Sequence, residues 1–295
     1  MKIPTDAPVF KQIRIENTNL CGYKCIFCPR EKMGRKKGIQ SVSDFNIILD
    51  RIDEYHTSFK YSNPIHLHGY GEPLLDKTLP DKVKIVTERF PDSISHIVTT
   101  LGHNVSDDYL YKLIDNGIKS ISVSFYGSNE NIYKYHTVTG NYNVAFKNLI
   151  KVAEIRKNTN KKLSIVAKTS MTGLESPEDK TKTEFNKMLN DLGVRTVDFP
   201  IHNYGDGRSY VKSRKLLCRT LISRDVLQIT WDMKVIPCCY DYNAELIYGN
   251  LKDNSVKEIF ESEQMQGYLK NHCEGKADMY NPCKNCTDRN MKDKP

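Results

Sequence analysis

Apolar and polar residues alternate in two different rhythms over the first two thirds of the chain. Residues 12–16 (QIRIE) alternate one by one, which predicts a first β-strand. The stretch from 41 to 55 instead repeats its apolar residues every three to four positions, which predicts an amphipathic helix. Further segments of both kinds follow in turn, as strands over 65–68, 96–100, 120–125, 163–167 and 196–199 and as helices over 82–90, 107–116, 144–157 and 183–192.

The alternation amounts to about six β-then-α units over residues 12–200. Units of this length imply an α/β fold, with a parallel sheet and helices outside it. Six units are fewer than a closed eight-unit barrel requires, so we expect a partial (β/α)6 barrel. The chemistry of such sheets lies at the carboxyl ends of the strands. Segments that follow predicted strands should therefore meet at one rim, namely Cys21–Cys28, Gly71–Glu72 and Thr100–Gly102.

The pattern changes in the last third of the chain. Two short apolar segments within residues 226–237 flank a polar turn and predict a β-hairpin. Ser255 and Glu258 fit a capping box, which predicts a helix that runs to about Leu269. We therefore expect a smaller C-terminal unit built from a β-hairpin and a helix.

Size and composition agree with an ordinary globular protein of two such units. The chain has 295 residues, of which 39% are hydrophobic and 27% charged. We place the barrel in residues 1–205 and the smaller domain in residues 206–295. The sequence contains neither an apolar run long enough to span a membrane nor a secretory signal, so we expect a cytoplasmic protein.

The net charge of +8 bears on possible partners. Its densest part is Arg30–Lys37 (REKMGRKK), directly after the first group of cysteines. A solvated basic surface is the simplest interpretation, and contact with an anionic substrate or a reductant protein is the alternative. Nucleic acid is not the expected partner.

Nine cysteines fall into two separate groups. Three lie within residues 21–28, none between 29 and 217, and six between 218 and 286. An odd number in a chain without a secretory signal argues against a disulfide framework. The distribution therefore predicts two metal sites.

The first group has the spacing C-x3-C-x2-C, formed by Cys21, Cys25 and Cys28. Three thiolates on one short loop can each bind one iron of a cubane and leave the fourth iron without a protein ligand. Such an open iron can bind a small molecule and reduce it. A structural zinc site would instead need four closed ligands.

This cysteine loop, placed after a first strand, resembles the radical S-adenosylmethionine (SAM) superfamily, and the resemblance extends over about residues 10–200. It implies a [4Fe–4S] cluster on Cys21, Cys25 and Cys28 whose open iron chelates the amino and carboxylate groups of SAM. Reductive cleavage of SAM in this family gives a 5′-deoxyadenosyl radical, which removes a hydrogen atom from the substrate. The resemblance therefore implies an enzyme.

Other segments resemble the SAM-binding motifs of that family. Tyr70-Gly71-Glu72-Pro73 resembles the Gly-Gly-Glu-Pro motif that binds the SAM amino group, with Tyr70 in place of the first glycine. Thr99–Gly102 resembles a Thr-Asn-Gly turn, with Leu101 in place of asparagine. The resemblance also implies that an aromatic residue lies against the adenine, that serines lie near the ribose, and that a lysine pairs with the SAM carboxylate. The residues expected to bind SAM are Phe27, Gly71, Glu72, Pro73, Thr100, Ser122, Ser124 and Lys168.

Several of these residues also have ordinary structural interpretations. Phe27 alone fits a core position, and Ser122 and Ser124 fit the solvent side of a strand. Glu72 alone fits a helix cap. Their joint occurrence after successive predicted strands favours the SAM site.

Four of the later cysteines fit a second, closed site. Cys218, Cys238, Cys283 and Cys286 suit either an auxiliary [4Fe–4S] cluster or a zinc ion, and the first cluster favours iron–sulfur. The stretch 215–288 resembles the twitch domain, the shortened form of the SPASM domain in radical SAM enzymes. A full SPASM domain would need more cysteines for two auxiliary clusters.

The reaction depends on what happens to the substrate radical. The segment HLHGYGEPLL resembles the aminocyclitol (scyllo-inosamine) dehydrogenases of the family, which implies oxidation of an alcohol. A base then removes a proton. Tyr204 stands where this base is expected, and Arg208, His202 and Asp206 are nearby candidates. One alternative is an epimerase of carbohydrates or peptides, with Cys239 as hydrogen-atom donor, and another is different C–H chemistry such as peptide modification. Cys239 also fits a small buried residue, and Cys273 an inert thiol or a reserve ligand.

The expected partners are a carbohydrate, aminocyclitol or peptide substrate and a flavodoxin- or ferredoxin-like reductant. A hypothesis from another class is a non-enzymatic iron–sulfur electron carrier or a nucleic-acid-binding protein. Only the net charge supports that hypothesis, which predicts no cleavage of SAM.

Overall fold

The computed structural model describes residues 7–55, 63–201, 218–281 and 283–286. Strands and helices alternate through the first 200 residues, as the sequence pattern predicts. The elements of this region are β1 (Gln12–Ile15), α1 (Val42–Glu54), β2 (Pro64–His66), α2 (Leu79–Arg89), β3 (Ile94–Thr99), α3 (Asp107–Asp115), β4 (Ser120–Ser124), α4 (Glu130–Thr137), α5 (Tyr142–Thr159), β5 (Ser164–Thr172), α6 (Lys182–Asp191) and β6 (Arg195–Pro200).

The six strands form one parallel sheet in the order β6-β5-β4-β3-β2-β1. Their alternate residues, such as Ile13, Ile65, Ile97 and Ile121, are fully buried in one hydrophobic core with the helices. The opposite face carries polar side chains, because successive residues of a strand point to opposite sides. The predicted α/β architecture of a partial (β/α)6 barrel is confirmed.

The sheet continues past β1 into the C-terminal part of the chain. After the short helix α7 (Arg219–Ser223), β7 (Val226–Ile229) pairs in parallel with β1, and β8 (Lys234–Ile236) and β9 (Gly249–Asn250) follow antiparallel. The predicted hairpin is confirmed. The proposed domain boundary at 205/206 lies outside the described residues, so the division into 1–205 and 206–295 stays a prediction.

Two helical details differ from the sequence prediction. The helix expected from Ser255 to Leu269 is two helices, α8 (Val256–Glu261) and α9 (Glu263–Cys273). Ser262 separates them because its backbone is extended and its hydroxyl accepts a hydrogen bond from the Met265 amide, which starts a new helix. The capping box of Ser255 and Glu258 is present. Helix α4 was not predicted, and it packs Ile132 and Tyr133 into the interior.

A buried ion pair joins the segment after the cysteine loop to the C-terminal hairpin. Arg35 donates two hydrogen bonds of 2.6 Å to Glu16, directly after β1. The same carboxylate accepts from the backbone amides of Tyr70 and Trp231, and Arg35 Nε donates to the Tyr242 carbonyl. Arg35, one residue of the basic stretch, therefore forms a buried ion pair and is not part of a solvated surface. Across the described ranges, each helix is too short or too polar to cross a bilayer.

Candidate active site

The first cysteine group lies on the loop that follows β1. Cys21, Cys25 and Cys28 are partly buried, and none is in a disulfide. Burial raises the pKa of Cys25, and the charges of Cys28 and Cys21 raise it further, so the three sulfurs are electrostatic neighbours. Thiols of this kind become thiolates readily only when a metal binds them. The donor set fits three irons of a cubane and leaves the fourth iron open.

Close packing fixes the shape of the loop. The Tyr23 hydroxyl lies 2.9 Å from the Tyr133 hydroxyl. A Cβ atom at Gly102 would overlap the Tyr23 hydroxyl. A Cβ atom at Gly71 would lie 2.6 Å from the Leu20 carbonyl oxygen. The next residue, Glu72, donates its backbone amide to that carbonyl at 2.7 Å. The segment after β2 therefore lies directly against the cysteine loop, which explains why a glycine is needed there.

The carboxylate of Glu72 is buried and fully engaged. Oε1 accepts from the Leu74 amide at 3.2 Å and from the Thr99 hydroxyl, and Oε2 accepts from the Thr100 amide and hydroxyl, both at 2.7 Å. A carboxylate has about four lone-pair sites. Glu72 thus joins the loops that follow β2 and β3. A SAM ammonium group could reach these oxygens only by displacing one of the donors.

The turn after β3 contains a residue with a positive φ angle. Leu101 adopts the left-handed region with φ of +54°. Asparagine and glycine tolerate this region better than leucine does, which accounts for the asparagine of the related motif. Hydrogen bonds from the Leu101 amide to the Thr99 hydroxyl and from the Gly102 amide to the Thr100 hydroxyl hold the turn.

Phe27 lies in a small apolar cluster beside the cysteines. Its ring meets that of Tyr126 edge-on, with centroids 5.1 Å apart, and Met171 and Ile201 complete the cluster. The Tyr126 hydroxyl donates to Ser124 at 3.2 Å. An apolar wall with a polar edge suits an adenine ring.

Lys168 projects from β5 beside Ser124 of β4, its partner in the strand register. Its ammonium group lies 4.2 Å from the centroid of the Phe199 ring. Burial lowers the pKa of Lys168 to about 8. Ser122 is also on β4, two residues earlier and on the same side of the strand. Pro73 begins a buried 3-10 turn. The contacts of these residues with SAM remain predictions.

The second cysteine group gathers around the hairpin. Burial raises the pKa of Cys238, and the charges of Cys239, Cys218 and Cys283 raise it further. Cys286 lies one turn after Cys283, to whose carbonyl it donates at 3.2 Å. Although Cys218, Cys238 and Cys283 are distant in sequence, they are therefore neighbours in space. Cys286, the other cysteine of the C-x2-C pair, supplies the fourth thiol.

Tyr248 shows that this second group fits a cluster. Its hydroxyl is buried and has no hydrogen-bond partner among the described residues. Burial raises its pKa, and the charges of Cys238, Cys218 and Cys283 raise it further, so the hydroxyl stays protonated beside the thiols. A donor without a partner beside these three thiols fits a site whose sulfurs accept hydrogen bonds.

His272 is a further neighbour that the sequence interpretation missed. Its Nδ1 lies 2.8 Å from the Tyr268 carbonyl oxygen, which can only accept, so that nitrogen carries the proton. Its Nε2 lies 3.5 Å from Cys283 Sγ, and its ring stacks on Tyr280. The adjacent Cys273 is buried in the main core, in agreement with the inert interpretation.

Cys239 adjoins the ligand candidate Cys238, and its charge acts on that thiol. The sulfur of Cys239 accepts a hydrogen bond from Arg14 Nη1 at 3.3 Å, and Arg14 lies on the polar face of β1. The proposed bases Tyr204 and Arg208 lie outside the described residues.

Two family models match the chain. The radical SAM superfamily matches residues 15–175, and SPASM, an iron–sulfur cluster-binding domain, matches residues 218–287. Because the radical SAM match covers more than half of this chain, the chain belongs to the radical SAM superfamily. It is therefore an enzyme that uses SAM and a [4Fe–4S] cluster, and its C-terminal region implies auxiliary iron–sulfur binding.

Individual relatives agree with this assignment over much of their length. The chain is 20% identical to the S-adenosyl-L-methionine-dependent 2-deoxy-scyllo-inosamine dehydrogenase of Niallia circulans over 279 residues, 94% of this chain and 93% of that protein. It is 24% identical to the GTP 3′,8-cyclase of Clostridium botulinum (strain Langeland) over 241 residues, 78% of this chain and 69% of that protein.

Solved structures show the same fold. BtrN in complex with AdoMet and 2-DOIA has a TM-score of 0.64 and 18% identity, and the match covers 96% of this chain and 95% of that chain. Native anSMEcpe with bound AdoMet has a TM-score of 0.57 and 17% identity, with 88% and 82% covered.

Proposed function

We propose that this radical SAM enzyme oxidises a secondary alcohol of a carbohydrate- or aminocyclitol-type substrate to a ketone. The observation that carries the proposal is the second cysteine group, Cys218, Cys238, Cys283 and Cys286, whose donor set suits an electron-accepting cluster next to the barrel. The similarity to a 2-deoxy-scyllo-inosamine dehydrogenase over nearly the whole chain supports it.

With SAM bound, the cluster on Cys21, Cys25 and Cys28 would supply the chemistry that removes a hydrogen atom from the substrate, and the auxiliary cluster on Cys218, Cys238, Cys283 and Cys286 would supply an electron acceptor. Loss of a hydrogen atom, a proton and one electron would turn the alcohol into a ketone. The residues of this chain bind and orient. Phe27 and Tyr126 would pack on the adenine, and Lys168 would pair with the SAM carboxylate. Glu72 would act as a positioning residue, because Thr99 and Thr100 already occupy its carboxylate. Gly71, Pro73, Ser122 and Ser124 complete the proposed SAM site.

The proposed base is Tyr204 or Arg208. The proposed reductant is a flavodoxin- or ferredoxin-like protein. Lys36 and Lys37 are exposed beside the cysteine loop, where an acidic reductant could dock. Free thiols and iron–sulfur clusters suit a reducing compartment, for which we propose the cytoplasm.

Epimerisation is the second candidate function, and the contact between Arg14 and Cys239 favours it. The sulfur of Cys239 is only partly buried and is not among the four ligand candidates. Its S–H could return a hydrogen atom to the substrate radical on the opposite face, which would invert the carbon centre. The resulting thiyl radical would then be reduced to the thiol by one electron, for which the auxiliary cluster would be the source, and a proton from solvent.

The test begins with anaerobically reconstituted protein. We expect about eight iron atoms per chain, as two cubanes require, and 5′-deoxyadenosine after addition of SAM and dithionite. Cys25→Ala should abolish that product, whereas Cys273→Ala, whose thiol lies in the core, should not. A fully reconstituted protein that leaves SAM intact would contradict the proposal and favour an electron carrier.

The two reactions are separated by Cys239→Ala with an accepted alcohol substrate in deuterated water. A dehydrogenase variant should still form the ketone. An epimerase variant should lose the inverted product and still cleave SAM. Solvent deuterium in a normally formed product of this variant would exclude Cys239 as the donor.

A further inference from the structure

Four cationic or imidazole side chains lie on the polar face of the sheet. The strand register places Arg14 of β1 beside His66 of β2, and His66 beside His96 of β3. His68 follows two residues after His66 and therefore lies on the same side. All four residues are partly exposed although they lie near the centre of the sheet. We call this group the histidine chamber.

The three imidazole rings of the histidine chamber converge on one point. One ring nitrogen of each lies within 4.8 Å of the others, and the ring centroids are 4.8 to 5.5 Å apart. His96 Nδ1 lies 2.9 Å from the Ser120 hydroxyl, which holds that ring in place. His66 Nε2 and His68 Nδ1 are buried and have no hydrogen-bond partner within the described ranges. Two adjacent buried nitrogens without partners indicate that a ligand belongs here.

The charges around the histidine chamber distinguish between kinds of ligand. Burial lowers the pKa of His96 to about 4 and that of His66 to about 3, so these rings are neutral at physiological pH. The charged side chains that act on the three rings are Arg14 and Lys168, both cations. Without a compensating carboxylate among those charges, a divalent metal ion would be repelled, and an anion attracted.

Arg14 is suited to bind such an anion. Its Nε donates to the Gln12 side chain at 2.9 Å and its Nη1 to Cys239. A guanidinium carries five N–H donors, so several remain available. In the described part of the chain, no carboxylate forms an ion pair with Arg14. A guanidinium held in place but not neutralised is a strong partner for a phosphate or carboxylate.

We propose that the histidine chamber binds an oxyanion of the substrate, a phosphate monoester or a carboxylate, through Arg14 and the ring N–H groups of His66, His68 and His96. This inference rests on the proposed function, because it assigns a substrate class to the same barrel. It predicts an anionic polyol rather than the amine-bearing compound that the name of the Niallia circulans relative gives. The contact of Arg14 with Cys239 would place that anion next to the hydrogen-atom donor of the epimerisation alternative.

The test is an anaerobic calorimetric titration of the SAM-loaded holoenzyme with glucose 6-phosphate, glucuronate and glucose. We expect one of the two anions to bind at least about tenfold more tightly than glucose. Tighter binding of glucose 6-phosphate would identify a phosphate as the bound group, and tighter binding of glucuronate a carboxylate. Arg14→Gln should weaken that binding by about tenfold or more. Arg195→Gln, the same change at an exposed position of β6, should leave it unaltered.

His66→Phe provides a second variant, which keeps a ring and removes its nitrogens. It should also weaken the anion, and iron content checks that each variant is folded. Equal binding of glucose and both anions by a protein that cleaves SAM would overturn this inference and leave the proposed function standing. Stoichiometric binding of Zn²⁺, lost in His66→Phe, would overturn it in favour of a metal site. Failure to cleave SAM would instead contradict the proposed function.

Discussion

The guanidinium of Arg35 pairs end-on with the carboxylate of Glu16, through two hydrogen bonds of 2.6 Å. The side chains are only 8% and 2% exposed. Glu16 also accepts from the backbone after β2 and from the turn of the C-terminal hairpin. A single carboxylate therefore connects the segment after the cysteine loop, the barrel and the C-terminal hairpin.

Removal of Arg35 should destabilise the protein strongly. Arg35→Met leaves the buried Glu16 carboxylate without its counter-charge, and we expect the free energy of unfolding to fall by about 3–5 kcal/mol. Chemical denaturation of the holoenzyme measures the change. The control is Arg51→Met, which breaks the more exposed pair with Glu54 and should cost less than about 1 kcal/mol. Equal losses of unfolding free energy in the two variants would show that the buried pair stabilises the protein no more than the exposed pair does.

Glu72→Gln tests the role of Glu72 as a positioning residue. The amide keeps the shape of the side chain and replaces one acceptor oxygen by a donor that faces the donors of Thr99 or Thr100. We expect the SAM Kd to rise by about tenfold or more, together with a loss of stability of about 1–3 kcal/mol. Glu31→Gln, at an exposed position near the cysteine loop, is the control. A raised Kd without any loss of stability would instead indicate direct contact of Glu72 with SAM.

The order of the barrel elements could be predicted from the sequence because it depends on local periodicity. Ile13 and Ile15 on β1, and the apolar face of α1, are buried where the alternation places them. Helix α4 escaped prediction because ENIYKYHT is short and contains few strong helix formers. Burial of Tyr133 against Phe125 stabilises it, and such a tertiary contact leaves no local signal.

The same distinction applies to the candidate site. The first cysteine group could be predicted because its three ligands lie on one loop, so the spacing carries the geometry. The histidine chamber depends on the register between strands that are distant in sequence, as for Arg14 and His66. The sequence alone predicts a basic surface at Arg35, because its partner, Glu16, lies 19 residues earlier and in no helical or strand repeat with it.

Tyr248→Phe should change the redox potential of the auxiliary cluster. The Tyr248 hydroxyl is a protonated donor beside Cys238, Cys218 and Cys283, and a hydrogen bond to sulfur stabilises the more negative, reduced state. Its loss should lower the midpoint potential of that cluster by about 20–60 mV, the equivalent of one ordinary hydrogen bond. Redox titration followed by EPR measures the shift. Tyr111→Phe, at an exposed position, is the control, and an unchanged potential in Tyr248→Phe would exclude the hydrogen bond.

The ammonium group of Lys168 should make SAM binding dependent on pH. Its pKa is lowered by burial to about 8 in the free protein, and pairing with the SAM carboxylate would raise it again. Affinity is then complete below about pH 8 and falls by up to about tenfold per pH unit above it, because binding must restore the proton. Of the nearby histidines, His96 has a pKa of about 4 and that of His68 is also lowered by burial, so neither changes charge in this range. Lys168→Gln should remove this dependence. The SAM amino group titrates equally with both proteins, so the ratio of their Kd values between about pH 6.5 and 9.5 isolates the lysine. A ratio that stays constant over this range would exclude Lys168 as the partner of the SAM carboxylate.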